Sequence, residues 1–190
     1  MNKVLLINAC VRPESRTLEL AKLVLDNVGG SVEEVKLADI PLSPLDLAAM
    51  QKRDHAGCTK DFSDPVFDLA KQFAAADSIV VAAPYWDLMF PAVLKTYMEN
   101  ITVCGVTFRY SEHGRPCTMC KAKSLYYITT AGGFIGGNDF GFAYMEAVAK
   151  NFFGISEIHR FSAEGLDITG ADVCDIMQKA KENILAELTQ

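Results

Sequence analysis

The order of apolar segments is the feature that most limits how this chain can fold. Five short runs rich in Val, Ile and Tyr alternate with stretches whose apolar residues recur at helical spacing. The predicted strands are residues 3–9, 32–37, 78–84, 124–130 and 157–163. Regular alternation of strands and helices predicts a parallel sheet with helices on both faces, which is a three-layer, doubly wound α/β fold.

The composition of each run predicts its place in the sheet. Residues 3–9, 78–84 and 124–130 are almost continuously apolar, as expected for strands that are covered on both faces. The other two runs are mixed, which is typical of sheet edges. Ligands of such folds bind at the carboxyl ends of the strands, near the point where the strand order reverses. We therefore expect the loops after the first, third and fourth strands to form the functional site.

The helical stretches carry start and stop signals. Asp64-Pro65 is an N-cap followed by a first-turn proline, Pro91 opens another helix, and Gly154 closes the one before the last strand. The predicted helices are residues 18–28, 66–74, 91–101, 142–153 and 173–188. The polar segment 45–63 has no clear periodicity, so the sequence leaves open whether it covers the site or decorates an edge.

Composition narrows the range of partners. The 190 residues are half apolar, enough for one substantial core, so we expect a single domain over residues 1–190. Eighteen basic against twenty-four acidic residues give a formal net charge of -6 without a basic patch, which argues against nucleic acid as a partner. The apolar runs are too short to cross a membrane, and the N-terminus lacks the features of a signal peptide. These observations predict a cytoplasmic protein that has no membrane partner.

The turn after the first strand carries the first chemical signal. It reads Cys10-Val11-Arg12-Pro13-Glu14-Ser15-Arg16-Thr17, with hydroxyls and arginines in place of the glycines of a dinucleotide fingerprint. Donors at the positive end of a helix suit a terminal phosphate dianion, whereas a pyrophosphate needs glycines so that the backbone can approach it. The turn therefore favours a mononucleotide such as FMN. The alternative is that Ser15 and Thr17 serve only as an N-cap and a first-turn residue.

The loops after the third and fourth strands could accommodate a flat ring. The first reads Tyr85-Trp86-Asp87-Leu88-Met89-Phe90 and offers aromatic side chains, although these could also be ordinary packing residues. The second reads Ala131-Gly132-Gly133-Phe134-Ile135-Gly136-Gly137, and its glycines leave backbone N–H groups accessible to a ligand or simply make a tight turn. Together with the phosphate turn, they predict a site for a phosphate tail attached to a polar-edged ring.

Three segments in this order and spacing carry a family resemblance. They are Ala-Pro-Tyr-Trp-Asp at positions 83–87, Gly-Val-Thr-Phe-Arg-Tyr at 105–110 and Thr-Thr-Ala-Gly-Gly at 129–133. With them the chain resembles the flavodoxin-like FMN-dependent NAD(P)H oxidoreductases, most of all the NADH-azoreductase and quinone-reductase branch. The resemblance covers most of the chain, and it implies a flavodoxin-like fold and a homodimer with flavins near the interface.

The resemblance also implies roles for individual residues. Ser15, Arg16 and Thr17 would hold the FMN phosphate, residues 84–87 would run along the isoalloxazine, and Thr130, Gly132 and Gly133 would border its pyrimidine side. The full set predicted to contact the cofactor is Cys10, Arg12, Ser15, Arg16, Thr17, Pro84, Tyr85, Trp86, Asp87, Thr130, Ala131, Gly132 and Gly133. Trp86, Phe108 and Tyr110 are predicted to line the substrate pocket.

The predicted reaction is a ping-pong cycle. NADH or NADPH would deliver a hydride to flavin N5 and leave, and a quinone, azo or nitroaromatic acceptor would then take its place. Since the flavin does the chemistry, no catalytic acid or base of the protein is predicted, and the protein contributes orientation and backbone donors. The sequence leaves open the natural acceptor and the choice between NADH and NADPH.

Departures from the family pattern keep alternatives open. Cys10 stands where relatives often have serine, and Asp87 stands where the azoreductases have asparagine. Cys117 and Cys120 could be a redox dithiol, half of a metal site completed by His113 or a partner chain, or two unrelated thiols. The alternative functions are a flavodoxin-type one-electron carrier and a flavoprotein with an additional Cys117/Cys120 site. A receiver-type signalling module is disfavoured because Asn8-Ala9-Cys10 supplies no acidic pair.

Overall fold

The computed structural model describes residues 2–189, and a central parallel sheet organises them. The strands are β1 (Lys3–Asn8), β2 (Ser31–Lys36), β3 (Ser78–Ala82), β4 (Phe108–Tyr110), β5 (Pro116–Thr118), β6 (Ser124–Thr130) and β7 (Glu157–Ala163). Five of them form one parallel sheet in the order β2-β1-β3-β6-β7, while β4 and β5 form a separate antiparallel hairpin. The predicted doubly wound, flavodoxin-like sheet is confirmed, and each predicted strand lies within two residues of its observed bounds.

Helices cover both faces of the sheet. They are α1 (Arg16–Val28), α2 (Leu47–Thr59), α3 (Asp68–Ala75), α4 (Ala92–Ile101), α5 (Phe140–Val148) and α6 (Val173–Leu188). Alternate residues of β1 point to opposite faces, so Val4 and Leu6 pack with α1 and α6, whereas Leu5 and Ile7 pack with α2 to α5. The sheet thus separates two apolar cores.

The strand order reverses between β1 and β3. The chain leaves β1 toward β2 on one side and returns to β3 on the other, so the loops after β1 and β3 diverge from a common edge. Strand β3 is buried throughout and β1 at all but its first residue, whereas β2 is exposed at all but Val35. The predicted division into central and edge strands agrees with this burial.

Two elements were not foreseen. Segment 45–63, which showed no periodicity, contains α2, whose start is capped by Asp46 through a 2.8 Å bond from the Ala49 N–H. Ala56 is its one fully buried residue, which explains why its apolar pattern is weak. The second element is the β4–β5 hairpin, whose strands have three residues each. Between residues 2 and 189, no helix combines the length and apolarity needed to span a bilayer.

Helix α2 is attached to the end of α4 by one side chain. The half-buried guanidinium of Arg53 donates hydrogen bonds to the backbone oxygens of Glu99 and Asn100 at 2.9 Å and to that of Thr102 at 3.4 Å. These carbonyls belong to the last turn of α4 and its cap, where no intrahelical donor is available. Segment 45–63 therefore packs against the end of α4.

Replacing Arg53 tests this attachment. We expect Arg53→Met to lower the free energy of unfolding by about 2 kcal/mol, because hydrogen bonds to a charged group are worth about 1.5–3 kcal/mol. Chemical denaturation measures the change. The control is Lys52→Met, which removes an exposed ion pair with Asp64 and should cost less than about 1 kcal/mol. Equal losses in the two variants would contradict the attachment.

Candidate functional site

A cleft of about 250 Å³ lies at the carboxyl ends of β1, β3 and β6. Its walls come from the loops that follow these three strands and from the loop that follows β7. The lining residues are Cys10, Val11, Arg12, Glu14, Ser15, Arg16, Thr17, Pro84, Tyr85, Trp86, Thr130, Ala131, Gly132, Leu166 and Asp167. The structure therefore brings most of the residues predicted to contact the cofactor into one space.

The turn after β1 places the start of α1 at the cleft. Ser15 is the N-cap of α1, and its Oγ accepts a hydrogen bond from the Leu18 N–H at 3.3 Å. Thr17 is buried, and its Oγ1 lies 2.6 Å from Oγ1 of Thr130, which links the turn to the end of β6. The positive end of α1 therefore faces the cleft, and Ser15 is both a helix cap and a lining residue.

Cys10 contributes a neutral thiol. Only 2% of the residue is exposed, its N–H donates to Asn8 Oδ1 at 2.9 Å, and its Sγ lies 3.7 Å from the Ala82 oxygen. Burial raises the pKa of the Cys10 thiol, and this outweighs the hydrogen bond from Ser15 that lowers it. Because the thiol stays protonated at neutral pH, it places no negative charge beside an anion in the cleft.

Asp167 is a lining residue that the sequence analysis missed. Its carboxylate forms an exposed ion pair with Arg16, with 3.3 Å between Nη1 and Oδ1. The carboxylate also lies against Gly132, where a Cβ would collide with it. The backbone of the loop after β7 bonds to the glycine-rich loop, residues 131–139 between β6 and α5. The Asp167 N–H donates to the Gly132 oxygen at 2.9 Å, and the Gly165 N–H donates to the Gly133 oxygen at 3.0 Å. A side chain at position 132 would therefore displace the Asp167 carboxylate, while the two backbone hydrogen bonds hold the loops together.

The loop after β3 forms a tight, strained turn. Trp86 and Met89 exchange two backbone hydrogen bonds of 2.7 and 2.8 Å, and the residues between them, Asp87 and Leu88, have φ angles of 50° and 67°. Positive φ is costly for residues with a Cβ, so this turn is held by its surroundings. The Tyr85 hydroxyl supplies one such contact by donating to the Asn138 oxygen at 3.0 Å.

Four of the predicted site residues lie outside the lining of the cleft. Asp87 is at the tip of the strained turn, and Gly133 is the exposed residue that follows Gly132. Phe108 is buried in the β4–β5 hairpin, with its ring 4.9 Å from that of Phe152, while Tyr110 is 55% exposed on the same strand. Their contacts with a cofactor or substrate stay predictions.

The cysteine pair does not form a recognisable centre. Cys117 is partly buried on β5 opposite Arg109, and Cys120 is buried with its Sγ donating to the Thr107 oxygen at 3.3 Å. Burial raises the pKa of Cys120 to about 12, so the thiolate needed for metal binding or redox chemistry is disfavoured. Within residues 2–189, no three His, Cys, Asp or Glu side chains are grouped to hold a metal ion. This arrangement favours two unrelated thiols.

Comparison with known proteins identifies relatives that align along nearly their whole length. A protein-family model described as a flavodoxin-like fold matches residues 2–188. The FMN-dependent NADH:quinone oxidoreductase of Clostridium beijerinckii is 32% identical over 189 residues, covering 95% of this chain and 94% of the relative. The protein of the same description from Lachnoclostridium phytofermentans is 34% identical over 195 residues, covering 96% of each chain.

Solved structures agree on the fold. An azoreductase from Bacillus anthracis str. Sterne has a TM-score of 0.85 and 23% identity, covering 99% of both chains. The FMN complex of an FMN-dependent NADH-azoreductase from Bacillus anthracis str. Ames Ancestor has a TM-score of 0.82 and 22% identity, covering 100% of this chain and 98% of the other. At these identities the likeness establishes the architecture.

Proposed function

Since this chain belongs to the family of proteins with a flavodoxin-like fold, we propose that it is an FMN-dependent NADH:quinone oxidoreductase. The observation that carries the proposal is the single cleft in which the start of α1 meets the loops after β3 and β6. Two full-length relatives above 30% identity are described by the same activity, and azoreductases share the fold. Azo compounds are therefore proposed as further acceptors.

The donors around the cleft fit the phosphate of FMN. The positive end of α1, the Ser15 hydroxyl and the guanidinium groups of Arg12 and Arg16 favour a terminal dianion, and the neutral Cys10 thiol does not oppose it. Glycines that would admit a pyrophosphate are missing from this turn. We assign the phosphate to residues 12–17.

The glycine-rich loop is suited to the edge of the flavin ring. The carbonyl oxygens of Gly132 and Gly133 accept hydrogen bonds from the loop after β7, and their N–H groups have no acceptor among residues 2–189. When bound, FMN supplies the redox chemistry, accepting a hydride from NADH and passing the electrons to the acceptor. Free backbone N–H groups at the ring edge would stabilise the negative charge that collects there on reduction. The ping-pong order of the two half-reactions is part of this proposal.

An absorption spectrum tests the proposal. Protein purified with added FMN is expected to bind it in equimolar amount and to show the visible bands of oxidised flavin. NADH added without oxygen should bleach these bands, and a quinone added afterwards should restore them. Protein that stays colourless after exposure to FMN would refute the assignment. Bound flavin without steady-state oxidation of NADH by a small quinone would instead favour a flavodoxin-type electron carrier.

Asp167 provides a second test, directed at the phosphate. Its carboxylate pairs with Arg16, so a phosphate in the turn must compete with it and also meets its negative charge. We expect Asp167→Asn to bind FMN roughly two- to fivefold more tightly, since an exposed ion pair is worth about 0.2–1 kcal/mol. Fluorescence titration of the apoprotein measures the affinity.

Two controls make the result specific. Riboflavin lacks the phosphate, so its affinity should be the same in wild type and Asp167→Asn. Asp175→Asn removes another exposed carboxylate, on α6 outside the cleft, and should leave the affinity for FMN unchanged. A parallel gain for riboflavin, or weaker FMN binding by Asp167→Asn, would contradict the placement of the phosphate.

We propose further that the chain forms a homodimer through the rim of the cleft. Large apolar side chains are exposed there: Trp86 is 44% exposed, Leu88 50%, Phe134 79% and Phe140 55%. The loops that carry them touch, because the Phe140 N–H donates to the Leu88 oxygen at 3.3 Å. Exposed apolar side chains grouped on touching loops are typical of an interaction site. A second copy covering it would also shield the cleft from water.

Sedimentation velocity distinguishes a homodimer from a monomer. We expect a species of twice the 20.8 kDa chain mass for wild type and a monomer for Phe134→Asp, because a buried carboxylate at the interface is costly. Leu185→Asp is the matched control, since Leu185 is 39% exposed on α6 and α6 lines no part of the cleft. A wild-type monomer, or a Phe134→Asp variant that remains dimeric, would contradict the proposal.

A further inference from the structure

A cluster of four side chains, none of which lines the cleft, holds the glycine-rich loop. We call Asp139, Arg160, Ser162 and Glu164 the Arg160 cluster. The Arg160 guanidinium donates to Asp139 Oδ2 at 2.7 Å, to Ser162 Oγ at 3.1 Å and to Glu164 Oε1 at 3.4 Å. The Ser162 hydroxyl also donates to Glu164 Oε1 at 3.0 Å. One cation thus joins two carboxylates and a hydroxyl.

Both carboxylates hold the backbone of the loop. Glu164 Oε2 accepts the Ile135 N–H at 2.9 Å, which fixes the middle of the segment 131–139. Asp139 Oδ1 accepts the Phe142 N–H at 2.9 Å as the N-cap of α5, which fixes its end. The guanidinium therefore connects two separate anchor points of one loop.

Strand β7 directs the cluster toward the loop. Arg160 and Ser162 are two residues apart on β7, so their side chains lie on the same face of the strand. The cluster is largely covered, with side-chain exposures of 27% for Arg160, 12% for Asp139 and 26% for Glu164. Hydrogen-bonded ion pairs in such sites are screened less by water than those at the surface.

Removing the cation would weaken two of the contacts that hold the loop. Asp139 and Glu164 would then be two partly buried carboxylates without their shared counter-charge, and rotation toward water would relieve their desolvation and repulsion. Each rotation would break a bond to the loop backbone, at Ile135 or at the start of α5. The geometry of the loop thus depends on a residue that does not line the cleft.

We propose that Arg160 is a positioning residue that sets the geometry of the glycine-rich loop through Asp139 and Glu164. It thereby determines how the Gly132 and Gly133 N–H groups meet the ring of bound FMN. This inference rests on the proposed function for its effect on the flavin, whereas its effect on the loop is independent of any ligand. Arg160 touches neither the cofactor nor the substrate in this assignment.

Hydrogen exchange of the apoprotein tests the loop directly. In Arg160→Met, we expect the hydrogen-bonded backbone amides within residues 132–142, above all those of Ile135 and Phe142, to exchange about tenfold faster than in wild type, because their bonds to Glu164 and Asp139 open more often. The matched control is Arg53→Met, which removes a guanidinium that is also half-buried but attached to α4. That variant should lose stability and leave the exchange of 132–142 unchanged.

The reduction potential of bound FMN tests the effect on the cofactor. Donors at the ring edge act mostly on the reduced, negatively charged form, so Arg160→Met should weaken binding of reduced FMN more than that of oxidised FMN. A tenfold difference between the two forms lowers the midpoint potential by about 30 mV. Arg53→Met should keep the wild-type potential, and Arg160→Lys should fall between wild type and Arg160→Met.

The outcomes separate the possible failures. Wild-type exchange of 132–142 and a wild-type potential in Arg160→Met would overturn the proposal, even if the variant melts at a lower temperature. If wild type binds no FMN, the proposed function fails, while hydrogen exchange still decides the role of Arg160. Should Arg160→Met fail to fold, Glu164→Gln replaces it, because the amide still accepts from Ile135 but loses the charge that attracts Arg160. Faster exchange near Ile135 is expected there, and unchanged exchange would overturn the proposal.

Discussion

Parallel pairing at the centre of the sheet is the constraint on which the site depends. The ladder continues beyond the strand ends: the Ala9 N–H bonds to the Ala82 oxygen at 2.9 Å, the Tyr85 N–H to the Thr130 oxygen at 3.0 Å and the Ala131 N–H to the Ala163 oxygen at 2.9 Å. Because the pairing is parallel, the four strands joined by these bonds, β1, β3, β6 and β7, end at the same edge of the sheet. The strand register therefore fixes the position at which each loop leaves this edge. The reversal of strand order between β1 and β3 leaves the space that forms the cleft.

The two ends of the cleft differ in their electrostatic character. At the turn after β1, the start of α1 and two arginines provide a positive environment, while burial keeps Cys10 neutral. Asp167 forms an ion pair with one of these arginines, Arg16, and so offsets part of the positive charge at this end. At the other end the chain offers backbone N–H groups, which carry only partial charge. A strong charge for a phosphate and weak, directed donors for a ring are what a mononucleotide flavin requires.

Polar contacts between the loops stabilise the walls of the cleft, where little apolar surface is buried. Tyr85 joins the loop after β3 to the glycine-rich loop, and Thr17 joins the turn after β1 to β6. The Arg160 cluster joins β7 to the glycine-rich loop and to the start of α5. Loops at the surface bury little apolar area, so directed hydrogen bonds carry most of their order. The strained turn at Asp87 and Leu88 persists in such a setting because neighbouring contacts restrain it.

The sequence by itself determined the fold class, the central and edge strands, and most of the residues that line the cleft. Those features follow from local periodicity and from the rule that parallel strands end at one edge. Helix α2 was not predicted because it has no apolar stripe: Asp46 caps its start, and Arg53 attaches it to the end of α4. The contacts of Asp167 and of the Arg160 cluster were not predicted because the partners are distant in the chain. Arg16 and Asp167 are 151 positions apart, and Ile135 and Glu164 are 29 apart. Tertiary structure alone decided which side chains of neighbouring loops meet, since the register and path of the backbone set those distances.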